Sequence, residues 1–195
     1  IAAPSANRFG RISPTTAAHV LEELGAAVPL VLDGGACQVG IESTIVDCSR
    51  AEPVVLRPGH ISPAHLQAVL GCLPGIETAE GAPRVSGSLA AHYAPRTPMR
   101  LVAPERLLDL LNAMRHSGRR CAVLGHSQPP QAGMPHAWRM IPAEPVGYAH
   151  DLYAGLRELD HAGADLIVVE AIPETADWAA VNDRLRRAVA GAGQD

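Results

Sequence analysis

From Met99 onward the chain alternates strand-like and helix-like segments, and no other feature constrains its fold as tightly. Arg100–Val102 and Arg120–Leu124, the latter closed by Gly125, read as strands on either side of a helix at Pro104–Ser117. Trp138–Ile141 is a further short strand. Val146–Ala162 is a long helix with Leu152, Leu156 and Leu159 on one stripe and a stop at Gly163. Asp165–Glu170 carries the run Leu-Ile-Val-Val, which suits a strand buried on both faces. Trp178–Ala190 is a final amphipathic helix. Strands and helices in alternation predict a parallel sheet with helices on both faces. Residues 99–195 are expected to form a small Rossmann-like three-layer domain that folds as its own unit.

The earlier part is punctuated differently. Ser13-Pro14 opens a helix that Gly25 ends, with Ser13 as cap and Ala18, Leu21 and Leu24 on one face. Ser62-Pro63 to Gly71 repeats the same grammar. Between them lie three strand candidates, Pro29–Asp33, Thr44–Asp47 and Val54–Arg57, and a turn at Asp33-Gly34-Gly35. Residues 72–98 are rich in Gly, Pro, Ser and Ala and read as an interdomain linker, although a plain linker has no need of His92-Tyr93. The chain opens on Ile1-Ala2-Ala3, which reads as the tail of a buried strand, so a preceding N-terminal portion is expected.

Composition narrows the function. The chain is 47% hydrophobic and 18% charged, as folded domains are. Its aromatic content is only 3%, so the core must be built from Ala, Val, Leu and Ile. A formal net charge of −4 argues against nucleic-acid binding as the main task. Cys37, Cys48, Cys72 and Cys121 show no Cys-x-x-Cys or zinc-finger spacing and read as free thiols of a reducing cytoplasm. No apolar run approaches the roughly 20 residues of a membrane span, and no signal peptide is visible.

Several short polar segments adjoin apolar runs, where open α/β sheets bind ligands. Ser5 and Asn7 lie in the loop that feeds Ser13. Hydroxyls and backbone amides there suit phosphate oxygens, while Ser13 taken alone is a helix cap. Glu42-Ser43-Thr44 fits two readings, a substrate-binding loop or the polar start of a strand. Arg57 follows Val-Val-Leu at a strand end, well placed for phosphate. Asp33-Gly-Gly lacks the ending of a phosphate loop and is only a turn. The histidines are scattered, so no structural metal is expected. Arg184-Leu-Arg-Arg187 reads as a solvated helix face.

Taken together, several motifs resemble one family. They are Pro-Ser-Ala-Asn (4–7) with Ser-Pro-Thr (13–15), Leu-Asp-Gly-Gly (32–35), Glu-Ser-Thr-Ile-Val-Asp (42–47) and Leu-Arg-Pro-Gly (56–59). To these add Ser-Gly-Ser-Leu-Ala-Ala-His-Tyr-Ala-Pro (86–95), Tyr148-Ala-x-x-Leu-Tyr153 and Asn182-Asp-Arg-Leu-Arg-Arg-Ala188. The chain resembles the L-threonylcarbamoyladenylate synthases of the long form. The resemblance implies an α/β chain: the C-terminal half of a YrdC-like twisted open-sheet domain over 1–71, the linker 72–98, and the accessory domain 99–195. It implies formation of threonylcarbamoyl-AMP and pyrophosphate from L-threonine, bicarbonate and ATP, with Mg²⁺ accompanying ATP. The product would pass to the tRNA t6A transferase machinery of the cytoplasm, with RNA as a further contact. Ser5, Asn7, Ser13, Arg57 and Tyr93 would serve ATP; Ala3, through its backbone, and Ser43 would serve L-threonine. No catalytic residue is assigned. The chain departs from the family at Pro173–Trp178, which replaces a glycine-rich turn, and the family's triphosphate cations from the first half of the YrdC-like domain have no counterpart. Residues 1–195 alone are therefore expected to be inactive, with 1–71 frayed. A non-catalytic double-stranded RNA-binding module is the alternative.

Overall fold

The computed structural model describes residues 4–76, 83, 85–87, 89–130 and 133–193. The second part of the chain forms the expected parallel sheet. Its strands are β4 (Met99–Val102), β5 (Cys121–Gly125), β6 (Ala137–Met140) and β7 (Leu166–Glu170), in the order β4-β7-β5-β6. Helices α3 (Pro104–His116) and α4 (Pro145–Asp160) make the crossovers, and α5 (Ala179–Gly191) follows β7. The two crossovers run in opposite directions along the sheet and land on opposite faces, as connections of one hand must.

The period of two along the strands decides which helix meets which residue. Cys121, Val123, Leu166 and Val168 face α3 through Leu107, Leu111 and Met114. Ala122, Leu124, Ile167 and Val169 face the other way, onto Leu152 and Leu156 of α4 and Leu185 of α5. All five residues of β5 and of β7 are buried, which is why these segments read as continuous apolar runs.

The first part is a three-stranded sheet, β1 (Ile45–Asp47), β2 (Val54–Arg57) and β3 (Gly75–Ile76). β1 and β2 are antiparallel. The register slips between Ile45 and Val46, so Arg57 rather than Leu56 pairs with Ile45. α2 (Pro63–Leu70) begins at the Ser62 cap and stops at left-handed Gly71, as expected.

Three expectations are corrected. α1 (Ala17–Leu24) is capped by Thr16, whose side chain accepts from the His19 amide, and not by Ser13. The Ser13 hydroxyl is committed elsewhere, to Glu42. The apolar face of α1 is not a core face, since no residue of this helix is buried and Leu21 is exposed. Pro29–Asp33 forms no strand, and Leu30 and Leu32 are exposed; this segment has no ladder partner among the described residues.

The two parts of the chain are tied together in several places. The Arg157 guanidinium of α4 donates to Glu23 and to the Ile12 carbonyl. The Asp160 carboxylate accepts from the amides of Arg96 and Thr97. Arg11 bridges Ala94, and the His92 amide donates to the Arg187 carbonyl of α5. The end of the segment that reads as a linker is thus packed, with Tyr93 and Ala94 buried. Gly40 allows the closest approach: at φ +85° it lies against α4, where a Cβ would sit 2.5 Å from the Ala149 carbonyl oxygen.

Candidate functional site

Glu42 is the hub of the site. It precedes Ser43 at the head of β1, on the loop that Gly40 seats against α4. Its Oε1 accepts from Ser13 Oγ at 2.6 Å. Its Oε2 accepts from Tyr153 Oη at 2.9 Å and from Arg184 Nε at 2.8 Å. Burial raises the pKa of this carboxyl, but the Arg184 charge and the Ser13 hydrogen bond outweigh it, so the net shift is downward and Glu42 stays ionised. Burial likewise lowers Arg184, yet Tyr153 and Glu42 around it leave its affinity for the proton higher than usual.

The same charge fixes the chemistry of Ser13. With its hydrogen given to a carboxylate, Ser13 offers only lone pairs to a ligand. Ser13 is buried, as a bonded hydroxyl between two parts of the chain would be.

Arg57 is also buried, on the same face of β2 as Val55 two residues before it. Its Nε and Nη2 donate to the Ser43 carbonyl at 3.1 and 2.9 Å, and Nη1 donates to the Ser86 carbonyl at 2.8 Å. Arg57 therefore clamps the backbone of the Ser43 loop.

Tyr93 is the one non-glycine residue at positive φ among those described, at +61°. A bulky residue there is strained, and such strain gathers at binding sites. Its ring stacks on Tyr153 at 5.6 Å, meets His92 edge-on at 4.2 Å and lies 5.2 Å below the Arg184 guanidinium. Its hydroxyl is buried against Gly87, without a hydrogen-bond partner among the described residues. Burial, then the Glu42 charge, raises its pKa, so it is a neutral hydroxyl.

Of the residues singled out in the sequence, Ser13, Ser43, Arg57 and Tyr93 thus meet around Glu42. Asn7 donates from Nδ2 to the carbonyls of Arg8 and Arg11 at 2.9 and 3.1 Å, and Arg11 bridges Ala94 next to Tyr93. Asn7 Oδ1 is buried without a partner among the described residues. Ser5 is exposed at the start of this loop. Ala3 lies outside the described residues. Among the described residues no group of three or more His, Cys, Asp or Glu side chains is placed to hold a metal ion.

One reading of the sequence is corrected in part. Of the 184–187 cluster only Arg186 is exposed, paired with Glu174. Arg184 is fully buried, and Arg187 Nε donates to Asp183 Oδ1 at 2.9 Å. Sequence reasoning treated Glu42 only as part of a polar segment and gave Tyr153 and Arg184 no role. All three stand inside the motifs that carry the resemblance, and that was the available signal.

Known proteins bear on this arrangement. The family model described as threonylcarbamoyl-AMP synthase, C-terminal domain, matches residues 61–190, and one described as telomere recombination matches residues 1–59. A threonylcarbamoyl-AMP synthase of Bacillus subtilis is 36% identical over 98% of the chain, and one of Pyrococcus abyssi is 31% identical over 96%. The crystal structure of P. abyssi Sua5 complexed with L-threonine superposes with a TM-score of 0.84 at 29% identity, over 96% of this chain and 57% of that one. The chain spans 57% of the length of each of the two curated relatives named.

Proposed function

This chain belongs to the threonylcarbamoyl-AMP synthase family, and we propose that it supplies part of an active site that makes threonylcarbamoyl-AMP and pyrophosphate from L-threonine, bicarbonate and ATP. Ser5, Asn7, Ser13, Arg57 and Tyr93 face ATP in this reading, and Ala3 and Ser43 face L-threonine. The observation that carries it is the meeting of Ser13, Ser43, Arg57 and Tyr93 around one ionised carboxylate.

Each residue has a distinct task. Arg57 fixes the Ser43 carbonyl, which sets the direction of the Ser43 hydroxyl. Tyr93 brings a neutral donor that no group among the described residues uses. Ser13 accepts from a ligand donor such as a ribose hydroxyl or an ammonium group. Mg²⁺ would accompany ATP and neutralise charge on its phosphates.

We divide the chain into a partial catalytic domain at 1–71, a connector at 72–98 and an accessory domain at 99–195. The product goes to the tRNA t6A transferase machinery in the cytoplasm. No helix among the described residues is long and apolar enough to cross a membrane. The RNA-binding alternative loses a basic face, because Arg184 is buried and Arg187 is paired.

The test is Ser43→Ala in the full-length protein. Ser43 gives Arg57 mainly its carbonyl, so the substitution removes little structure. A lost bond to a charged group is worth about 1.5–3 kcal/mol, so KM for L-threonine should rise roughly 10- to 100-fold while KM for ATP holds. An equal rise for both substrates would refute the assignment of Ser43 to threonine.

A further inference from the structure

We infer that Arg184, from the accessory domain, is a positioning residue for the threonine loop, acting through the Glu42 and Ser43 backbone. The inference rests on the proposed role of Ser43 and goes beyond it by giving the accessory domain a part in the site.

Arg184 donates from Nε to Glu42 Oε2 at 2.8 Å and from Nη2 to the Glu42 backbone carbonyl at 3.3 Å. Arg57 holds the next carbonyl, that of Ser43. Two guanidinium groups, one from each part of the chain, thus clamp two consecutive peptide groups. Carbonyls 42 and 43 belong to the peptide planes on either side of Ser43 Cα, so holding both fixes the direction of the Cα–Cβ bond that carries the hydroxyl.

Arg184 is itself held in place. Nη1 donates to Asp183 Oδ2 at 2.7 Å, and Asp183 is braced by Arg187. The Tyr93 ring lies against its guanidinium. A surface ion pair has no such frame. The accessory helices α4 and α5 deliver Tyr153 and Arg184 to the same carboxylate oxygen, so both must dock before the loop is fixed.

A lysine cannot reproduce the planar fork that reaches a carboxylate and a carbonyl together. Arg184→Lys keeps the charge and loses the second contact. In the full-length protein it should raise KM for L-threonine at least tenfold while KM for ATP changes less than twofold. Arg157→Lys is the comparator. Arg157 is also a buried inter-domain arginine, but it holds Ile12 and Glu23, away from Ser43. It should lower thermal stability and leave KM for L-threonine within twofold. In a Ser43→Ala background, Arg184→Lys should add less than a further twofold. Glu42→Gln is a second probe, should Arg184→Lys fail to fold; it keeps the side-chain shape and should raise KM for L-threonine selectively.

The outcomes separate the two readings. If Ser43→Ala leaves KM for L-threonine unchanged, the assignment of Ser43 fails and this inference falls with it. If Ser43→Ala moves it but Arg184→Lys and Glu42→Gln do not, Arg184 is only a structural strut. Additive effects of Ser43→Ala and Arg184→Lys, or equal shifts from Arg157→Lys, overturn the inference as well.

Discussion

Replacing Gly40 by alanine would place a methyl group between two pieces of backbone. Its Cβ would stand 2.5 Å from the Ala149 carbonyl oxygen and against that of His150, where ordinary contact begins at 3.4 Å. α4 is anchored in the core, so the loop must retreat by about 1 Å, the difference between those distances. Glu42 lies two residues further on, and its bonds of 2.6 to 2.9 Å to Ser13, Arg184 and Tyr153 would then pass beyond bonding range. The left-handed backbone itself costs alanine about 1–2 kcal/mol. Breaking a buried ion pair costs about 3–5 kcal/mol more. Gly35 provides the control. It has φ +87° and open space around it, so Gly35→Ala meets only the backbone penalty. Urea unfolding of both variants should show Gly40→Ala less stable than Gly35→Ala by about 3–5 kcal/mol. Equal midpoints with a shared slope would show that the loop is not seated on α4 in solution, and the Glu42 network would lose its geometric support.

Two further predictions concern ionisation. The Glu42 carboxyl is held below its usual value of 4.5, so its stabilising effect is complete above that pH and is lost as pH falls through the lowered value. Glu42→Gln should flatten that acid limb of the stability profile, and an unchanged limb would place the acid sensitivity elsewhere. Burial pushes the Cys121 thiol up to about 11, whereas Cys37, Cys48 and Cys72 are exposed. Iodoacetamide at pH 8 should label those three and spare Cys121 in the folded protein; labelling of all four at one rate would show that β5 opens readily.

The parallel sheet of β4 to β7 was legible because β5 and β7 are buried on both faces, and such strands cannot hide in a sequence. Ser62 and Gly71 were legible for a local reason, since caps act over a few residues. Local reasoning failed where a partner was distant. Ser13 has every property of a cap, yet a carboxylate 29 residues away takes its hydroxyl. Arg184 sits at the spacing of a solvated face, and only the fold brings Glu42 to it. Pro29–Asp33 has strand-like residues, but a ladder needs a neighbour, and no pattern within the segment reports whether one is present. Arg57 stands at the end of β2, as its place in the sequence indicates, but its hold on the Ser43 carbonyl 14 residues away left no trace in composition.

Glu42 and Arg184 are separated by 142 residues, which also has a meaning in time. At roughly 5–20 residues per second, a ribosome needs on the order of 7–30 s to travel from one codon to the other. Throughout that interval the carboxylate has been made and its arginine has not. The Glu42 loop lacks this partner while the sheet of residues 45–76 can already pair. The contact that joins the two ends of the chain can therefore form only once α5 has been made.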